Sequence, residues 1–181
     1  MRRLVFCALL IVLCTTLALA ADEALTVTQD ENSMERIISR YLQDSYKVSV
    51  EEKKLADGDL ALLVLMDGKG GPDFNVVVDT QACAKDDAGK VTERAVTVQV
   101  FTGGKVPEGK RAAVFEALNK FLAGMWFASI YIDDDGEIAC QWCVNVMKEG
   151  LPTEYVADAV IRVADSWRKF RPQAEAALGE G

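Results

Sequence analysis

Between Val48 and Val100 the apolar residues of this chain recur at every second position or in one short continuous run, and on either side of that stretch they recur with the period of a helix. That change of period constrains the fold more than any other feature, because a strand alternates its side chains between two faces while a helix gathers them into a stripe. Val48 and Val50 alternate with polar neighbours, and Leu60 to Met66 is a buried-type run. Phe74, Val76 and Val78 then alternate with Asn75 and Asp79, and Val96, Val98 and Val100 with Thr97 and Gln99. The breaks fall at Asp57-Gly58, at Asp67-Gly68 with Gly70-Gly71-Pro72, and at Asp86-Asp87-Ala88-Gly89. These residues tolerate positive φ and form Asx turns, so they predict hairpins, and one apolar face beside one wet face predicts an antiparallel sheet.

Helical stripes flank the strands. Met34, Ile37, Ile38, Tyr41 and Leu42 follow acids and Asn32-Ser33, the N-cap candidates of a first helix. Gly103-Gly104 closes the fourth strand, Pro107 suits the first turn of a second helix, and Val114, Leu118, Phe121, Leu122 and Met125 give its buried side. Trp126 to Ile132 and Glu137 to Met147 read as a hairpin turning at Asp133-Asp134-Asp135-Gly136. A last helix opens near Thr153-Glu154 with Val156, Ala159, Val160, Val163, Trp167 and Phe170 on one side. Pro172 is expected to stop it and leave a frayed tail over 173–181. The order α-β-β-β-β-α-β-β-α predicts an α+β domain, with an antiparallel sheet of about five to six strands whose one face the second and third helices cover. Leu118, Leu122, Trp142, Val156, Val160, Val163 and Trp167 are the expected core.

The N-terminus reads as an export signal over residues 1–20. Arg2 and Arg3 give a positive start, Leu4 to Leu19 is almost wholly apolar, and Ala18-Leu19-Ala20 is a small-residue cleavage site before Asp22-Glu23. Cys7 and Cys14 follow Phe6 and Leu13, which excludes a lipoprotein signal. Residues 21–29 carry no periodicity and are expected to be a flexible tether, leaving 30–172 as a single domain. The expected location is periplasmic or extracellular, with no stable membrane anchor after cleavage. Removing Arg2 and Arg3 from 20 basic residues leaves 18 against 28 acids, a net charge of −10. Such a balance disfavours nucleic acid and anionic membrane surfaces.

The chain has no histidine. Ser-His-Asp and Cys-His machinery is thereby excluded, together with the commonest zinc ligand. Gly68-Lys69-Gly70-Gly71-Pro72 lacks the spacing of a phosphate loop, and Asp133 to Glu137 lacks that of a calcium loop, since Tyr131 stands at the first required position. Neither a cofactor nor a metal is expected, and the two segments read as hairpin turns. Cys140-Gln141-Trp142-Cys143 has the spacing of thiol redox sites, which sit at helix N-termini, whereas this one falls within a strand. Parity puts Cys140 on the apolar face with Trp142, and Cys143 on the other face with Gln141 and Asn145. Cys83 has the parity of Asn75 and Asp79, so an oxidising compartment would join Cys83 to Cys143 if their strands lie side by side.

From Arg111 to Pro172 the chain resembles the YbjN family, labelled "putative bacterial sensory transduction regulators", whose fold is similar to type III secretion chaperones. The residues that carry the resemblance are Leu118-Asn119-Lys120-Phe121-Leu122, the strand Phe127 to Ile132 entering Asp134-Asp135-Gly136-Glu137-Ile138, Leu151-Pro152-Thr153-Glu154-Tyr155-Val156, and Ala164-Asp165-Ser166-Trp167. The resemblance implies a non-enzymatic, protein-binding or regulatory module whose partner is another polypeptide or a second copy. The competing expectation is a thiol redox or disulfide-handling protein built on Cys140 and Cys143.

Overall fold

Asp30 starts the first helix. Its Oδ1 accepts from the Ser33 N–H at 2.9 Å and its Oδ2 from the Ser33 hydroxyl at 2.6 Å. Such a cap contributes about 1 kcal/mol. The computed structural model describes residues 24–56, 58–124 and 127–179. The predicted signal over 1–20 lies outside the described residues, as do Met125 and Trp126.

Helix α1 (Glu31–Tyr41) widens into a π turn over Leu42–Tyr46 and ends at Lys47, whose φ of 56° is left-handed. Four strands follow: β1 (Ser49–Lys54), β2 (Leu60–Met66), β3 (Phe74–Lys85) and β4 (Val91–Lys105). Helix α2 (Arg111–Leu122), the hairpin β5 (Ser129–Ile132) and β6 (Glu137–Val146), and the long helix α3 (Thr153–Leu178) complete the chain. The α+β order is the expected one. β3 and β4 run several residues beyond their alternating apolar cores, because each continues to pair with the other out to Lys85↔Val91. β4 also passes through Gly103-Gly104 with a break in register between Phe101 and Lys105.

The strands form one six-stranded antiparallel sheet in the order β1-β2-β3-β4-β6-β5. The strand beside β4 is the ten-residue β6, in register Val96↔Val144, Val98↔Trp142 and Val100↔Cys140, while four-residue β5 takes the edge. The opposite edge, β1, exposes Glu51, Glu52, Lys53 and Lys54, charges that discourage another chain from pairing there.

On the core face Leu62, Val64, Val76, Val78, Val96, Val98, Val100, Ile138 and Cys140 are wholly buried. The helices that cover this face are α1, over β2 and β3, and α3, over β3, β4 and β6. This corrects the expected pairing of second and third helices. Helix α2 instead rests on α3, with Phe121 and Phe170 rings 5.2 Å apart, and meets the sheet at β5. Its apolar stripe is short, with Val114 and Leu118 buried and Leu122 half-buried. Val156, Val160, Val163, Trp142 and Trp167 are all in the core.

Two further expectations are overturned. Helix α3 does not stop at Pro172 but continues to Leu178 and closes at Gly179, φ 80°. Interior proline costs roughly 3 kcal/mol through its missing N–H and its ring. Here the following turn is held by burial: Ala174 is buried, and Ala177 and Leu178 pack against the core. Nor are residues 24–29 a loose tether. Leu25 is wholly buried and exchanges two 2.8 Å backbone hydrogen bonds with Leu151. Gly150 makes room for this strap, since at its φ of +93° an added Cβ would lie 3.3 Å from the Ala24 Cβ. One apolar side chain without a repeat gives no periodic signal, yet it fills a core position.

Candidate functional site

With the helices on one side, the opposite face of the sheet has none over it among the described residues. Over the four central strands its outward side chains come from positions 61, 63 and 65 on β2, 75, 77 and 79 on β3, 97, 99 and 101 on β4, and 139, 141 and 143 on β6, and at the edge β1 adds Glu51, opposite Leu63, and Lys53, opposite Ala61. Among the central-strand positions Asp79 is the one charged residue, in a chain of which 27% is charged. Its carboxylate accepts from Gln81 Nε2 at 2.7 Å. Leu65 and Phe101 stand exposed on this face, at 48% and 38%, with Leu63 and Val77 half-buried between β1 and β4. Depletion of charge around exposed apolar side chains is the mark of an interface centre rather than of an ordinary solvated face.

The cysteines divide as parity predicts, Cys140 inward and Cys143 outward. Burial pushes the Cys140 thiol up to about 12, and its Sγ lies 4.0 Å from the Val163 carbonyl oxygen. A thiol held protonated in an apolar core is a poor nucleophile, so Cys140 is not the activated sulfur that redox exchange requires. Cys143 is an exposed free thiol whose Sγ accepts from Thr97 Oγ1 at 3.7 Å. Cys83 is also exposed and free, at a bulge in β3. The predicted Cys83 to Cys143 disulfide is therefore absent. β4 lies between their strands. Two inter-strand spacings set them roughly 10 Å apart before any offset along the strands, beyond the roughly 7 Å that a disulfide spans.

The two turns weighed for ligand binding use their polar groups internally. Asp133 Oδ1 accepts the Glu137 N–H at 2.8 Å, closing the β5–β6 hairpin. Among the described residues no group of three or more His, Cys, Asp or Glu is arranged to hold a metal ion. In the β2–β3 loop the Gly68 and Lys69 N–H groups donate to Asp73 and Asp67, at 3.1 and 2.7 Å. Arg168 and Arg171 of α3 donate to the loop carbonyls of Asp67 and Pro72, both at 2.8 Å. The arginines also bind Asp165 and Glu175, so in this groove of about 600 Å³ both guanidinium groups are engaged by the protein itself. Its role is to tie the loop to the helix. Sequence reasoning missed this tie because the loop and the helix are about 100 residues apart in the chain and meet only in the folded molecule.

Residues 93–176 match the model of the YbjN family, described as "Putative bacterial sensory transduction regulator". No curated protein matches the chain. Among solved structures it is similar to "Crystal structure of YbjN, a putative transcription regulator from E. coli", at 16% identity and a TM-score of 0.46, covering 78% of this chain and 90% of that one. The family segment runs from β4 to the last turns of α3 and contains the whole of the stretch from Arg111 to Pro172. The family description is that of a regulator, which supports a regulatory or binding module. The resemblance read from the sequence thus stands: residues 93–176 are YbjN-like.

Proposed function

We propose that the protein is an exported, non-enzymatic binding module that engages a polypeptide partner across the helix-free face of its sheet. The observation that carries this reading is the charge-depleted face around Leu65 and Phe101. A chain as acidic as this one repels other acidic surfaces over most of its area, and the centre of this face, where Asp79 is the one charge, is where apolar burial meets least opposition. Export rests on the basic start, apolar run and A-x-A site of residues 1–20. A chaperone-like, non-catalytic mode of action belongs to the same proposal, supported by the regulator description of the matching family and by the protonated, buried Cys140.

The test is crosslinking in cells with a tagged full-length chain, beside a Leu65→Asp/Phe101→Asp version and a Cys140→Ser/Cys143→Ser version. One abundant partner, kept by the serine version and lost by the aspartate version at an unchanged melting temperature, is the expected result. Recovery of a second, differently tagged copy would make the partner the chain itself. A partner kept by the aspartate version would overturn the sheet face, and partners trapped only through mixed disulfides would overturn the binding-module reading.

A further inference from the structure

Pairing between β2 and β3 ends at Leu62↔Val78. Beyond that point helix α1 takes over the role of the neighbouring strand. The Thr80 N–H donates to Glu35 Oε1 at 2.9 Å, and the Ala82 N–H to Glu31 Oε1 at 2.7 Å. Glu31 and Glu35 are one helical turn apart, so their carboxyls meet alternate residues of β3. Asn32 Oδ1 does the same for β2, accepting the Leu60 N–H at 2.9 Å.

The two glutamates are not equivalent. Glu31 is neutralised by Arg94 of β4, whose Nη1 lies 2.8 Å from its Oε1 while Arg94 Nε donates to the Val27 carbonyl at 3.2 Å. Glu35 is wholly buried and has no cation among the described residues. Its Oε1 also accepts the Thr80 hydroxyl at 2.6 Å, but its Oε2 has no partner. The charged groups acting on it are Asp79 of β3 and Glu31 of its own helix, both acidic. β2 presents the apolar Leu60 and Leu62 on this side, and α3 meets the end of the first helix through Asp158, which accepts from the Tyr46 hydroxyl. A carboxylate in that position is a buried charge with half its hydrogen-bonding capacity unused, whereas a carboxylic acid is not charged at all.

We propose that Glu35 makes the joint between α1 and the sheet a proton-operated device, tight while its carboxyl is protonated and loosened when it ionises. The inference does not rest on the helix-free face being an interface. Burial lifts the Glu35 carboxyl from 4.5 to about 7, against the pull of the two Thr80 hydrogen bonds. The folded state therefore binds this proton more strongly than the unfolded chain. Stability from this group is complete below about pH 4.5 and declines as pH rises through 7. Ionisation leaves the molecule to keep an unpaired charge in its core or to move the first turns of α1 off β3. The Leu25 strap and Arg94 would be loosened with them.

The test is amide hydrogen exchange on the full-length protein at pH 6 and pH 8.5, corrected for the intrinsic pH dependence, on wild type and Glu35→Gln. The expected result is a loss of protection of about tenfold or more at Thr80, Ala82 and the α1 amides in wild type at the higher pH, absent in Glu35→Gln. Equal pH dependence in both proteins would overturn the proposal. If Glu35→Gln does not fold, carbon-13 carboxyl titration of wild type decides: one glutamate titrating near neutral pH supports the device, and none above pH 6 overturns it.

Discussion

Arg94 on β4 and Glu31 on α1 form a 2.8 Å ion pair with side-chain exposures of only 8% and 20%. The pair joins two elements far apart in the chain, and each partner makes a further bond, Arg94 donating to the Val27 carbonyl and Glu31 accepting the Ala82 N–H. Removing the guanidinium would strand a carboxylate in a poorly hydrated site. Breaking a buried pair costs about 3 kcal/mol, more than replacing both partners. Arg94→Met should lower the urea midpoint strongly and Arg94→Met/Glu31→Gln less than the sum of the single changes. Additive losses would show the pair to be uncoupled.

Leu25 tests whether the strap belongs to the domain. Its side chain is wholly buried, so Leu25→Ala should cost about 2–5 kcal/mol by opening a cavity. Gly150→Ala should destabilise as well, since the position requires positive φ and leaves only 3.3 Å to the Ala24 Cβ. Melting temperatures within a degree of wild type for both would return residues 24–29 to the status of a tether.

Trp167 is 4% exposed and lies 6.3 Å, ring centre to ring centre, from Phe170. Truncation to alanine removes the largest side chain from the face by which α3 covers the sheet. A loss of about 3–5 kcal/mol is expected in chemical denaturation, and a loss below about 1 kcal/mol would contradict this packing.

The thiols should separate by reactivity. With Cys140 buried and its thiol pushed up to about 12, native protein treated with iodoacetamide at pH 8 should label at Cys83 and Cys143 and spare Cys140 until it is unfolded. Mass spectrometry of tryptic peptides reads this directly. Early labelling of Cys140 would reopen the redox reading of the C-x-x-C strand.

Much of this architecture is legible in the sequence because periodicity is a local property. The stripe from Met34 to Leu42, the alternation at Val76 and Val78, and the opposite facing of Cys140 and Cys143 all follow from 3.6-residue and two-residue repeats. The hairpins at Asp86 and Asp133 are marked by residues that bond their own backbone: Asp86 Oδ1 accepts the Ala88 and Lys90 N–H groups, at 3.0 and 2.9 Å. Leu25, Pro172 and the Glu31–Glu35–Arg94 cluster carry no such signal. Their roles depend on residues distant in the chain, and the same amino acids elsewhere would be a loop, a helix stop and surface charges.

Where the helices and strands lie, which side of each is apolar, and the exclusion of histidine-based catalysis are all contained in the sequence, since they follow from side-chain chemistry and the repeat of the backbone. The placing of β6 beside β4, the sharing of the sheet by α1 and α3 while α2 rests on α3, and the separation of Cys83 from Cys143 by β4 arise only in the folded molecule. So does the isolation of Glu35 from any cation, and the lack of a cover over Leu65 and Phe101, among the described residues. Which strands pair, and which helix lies over them, is set by the joint burial of apolar faces and the completion of hydrogen bonds across long stretches of chain, a condition on the whole molecule that no local window contains.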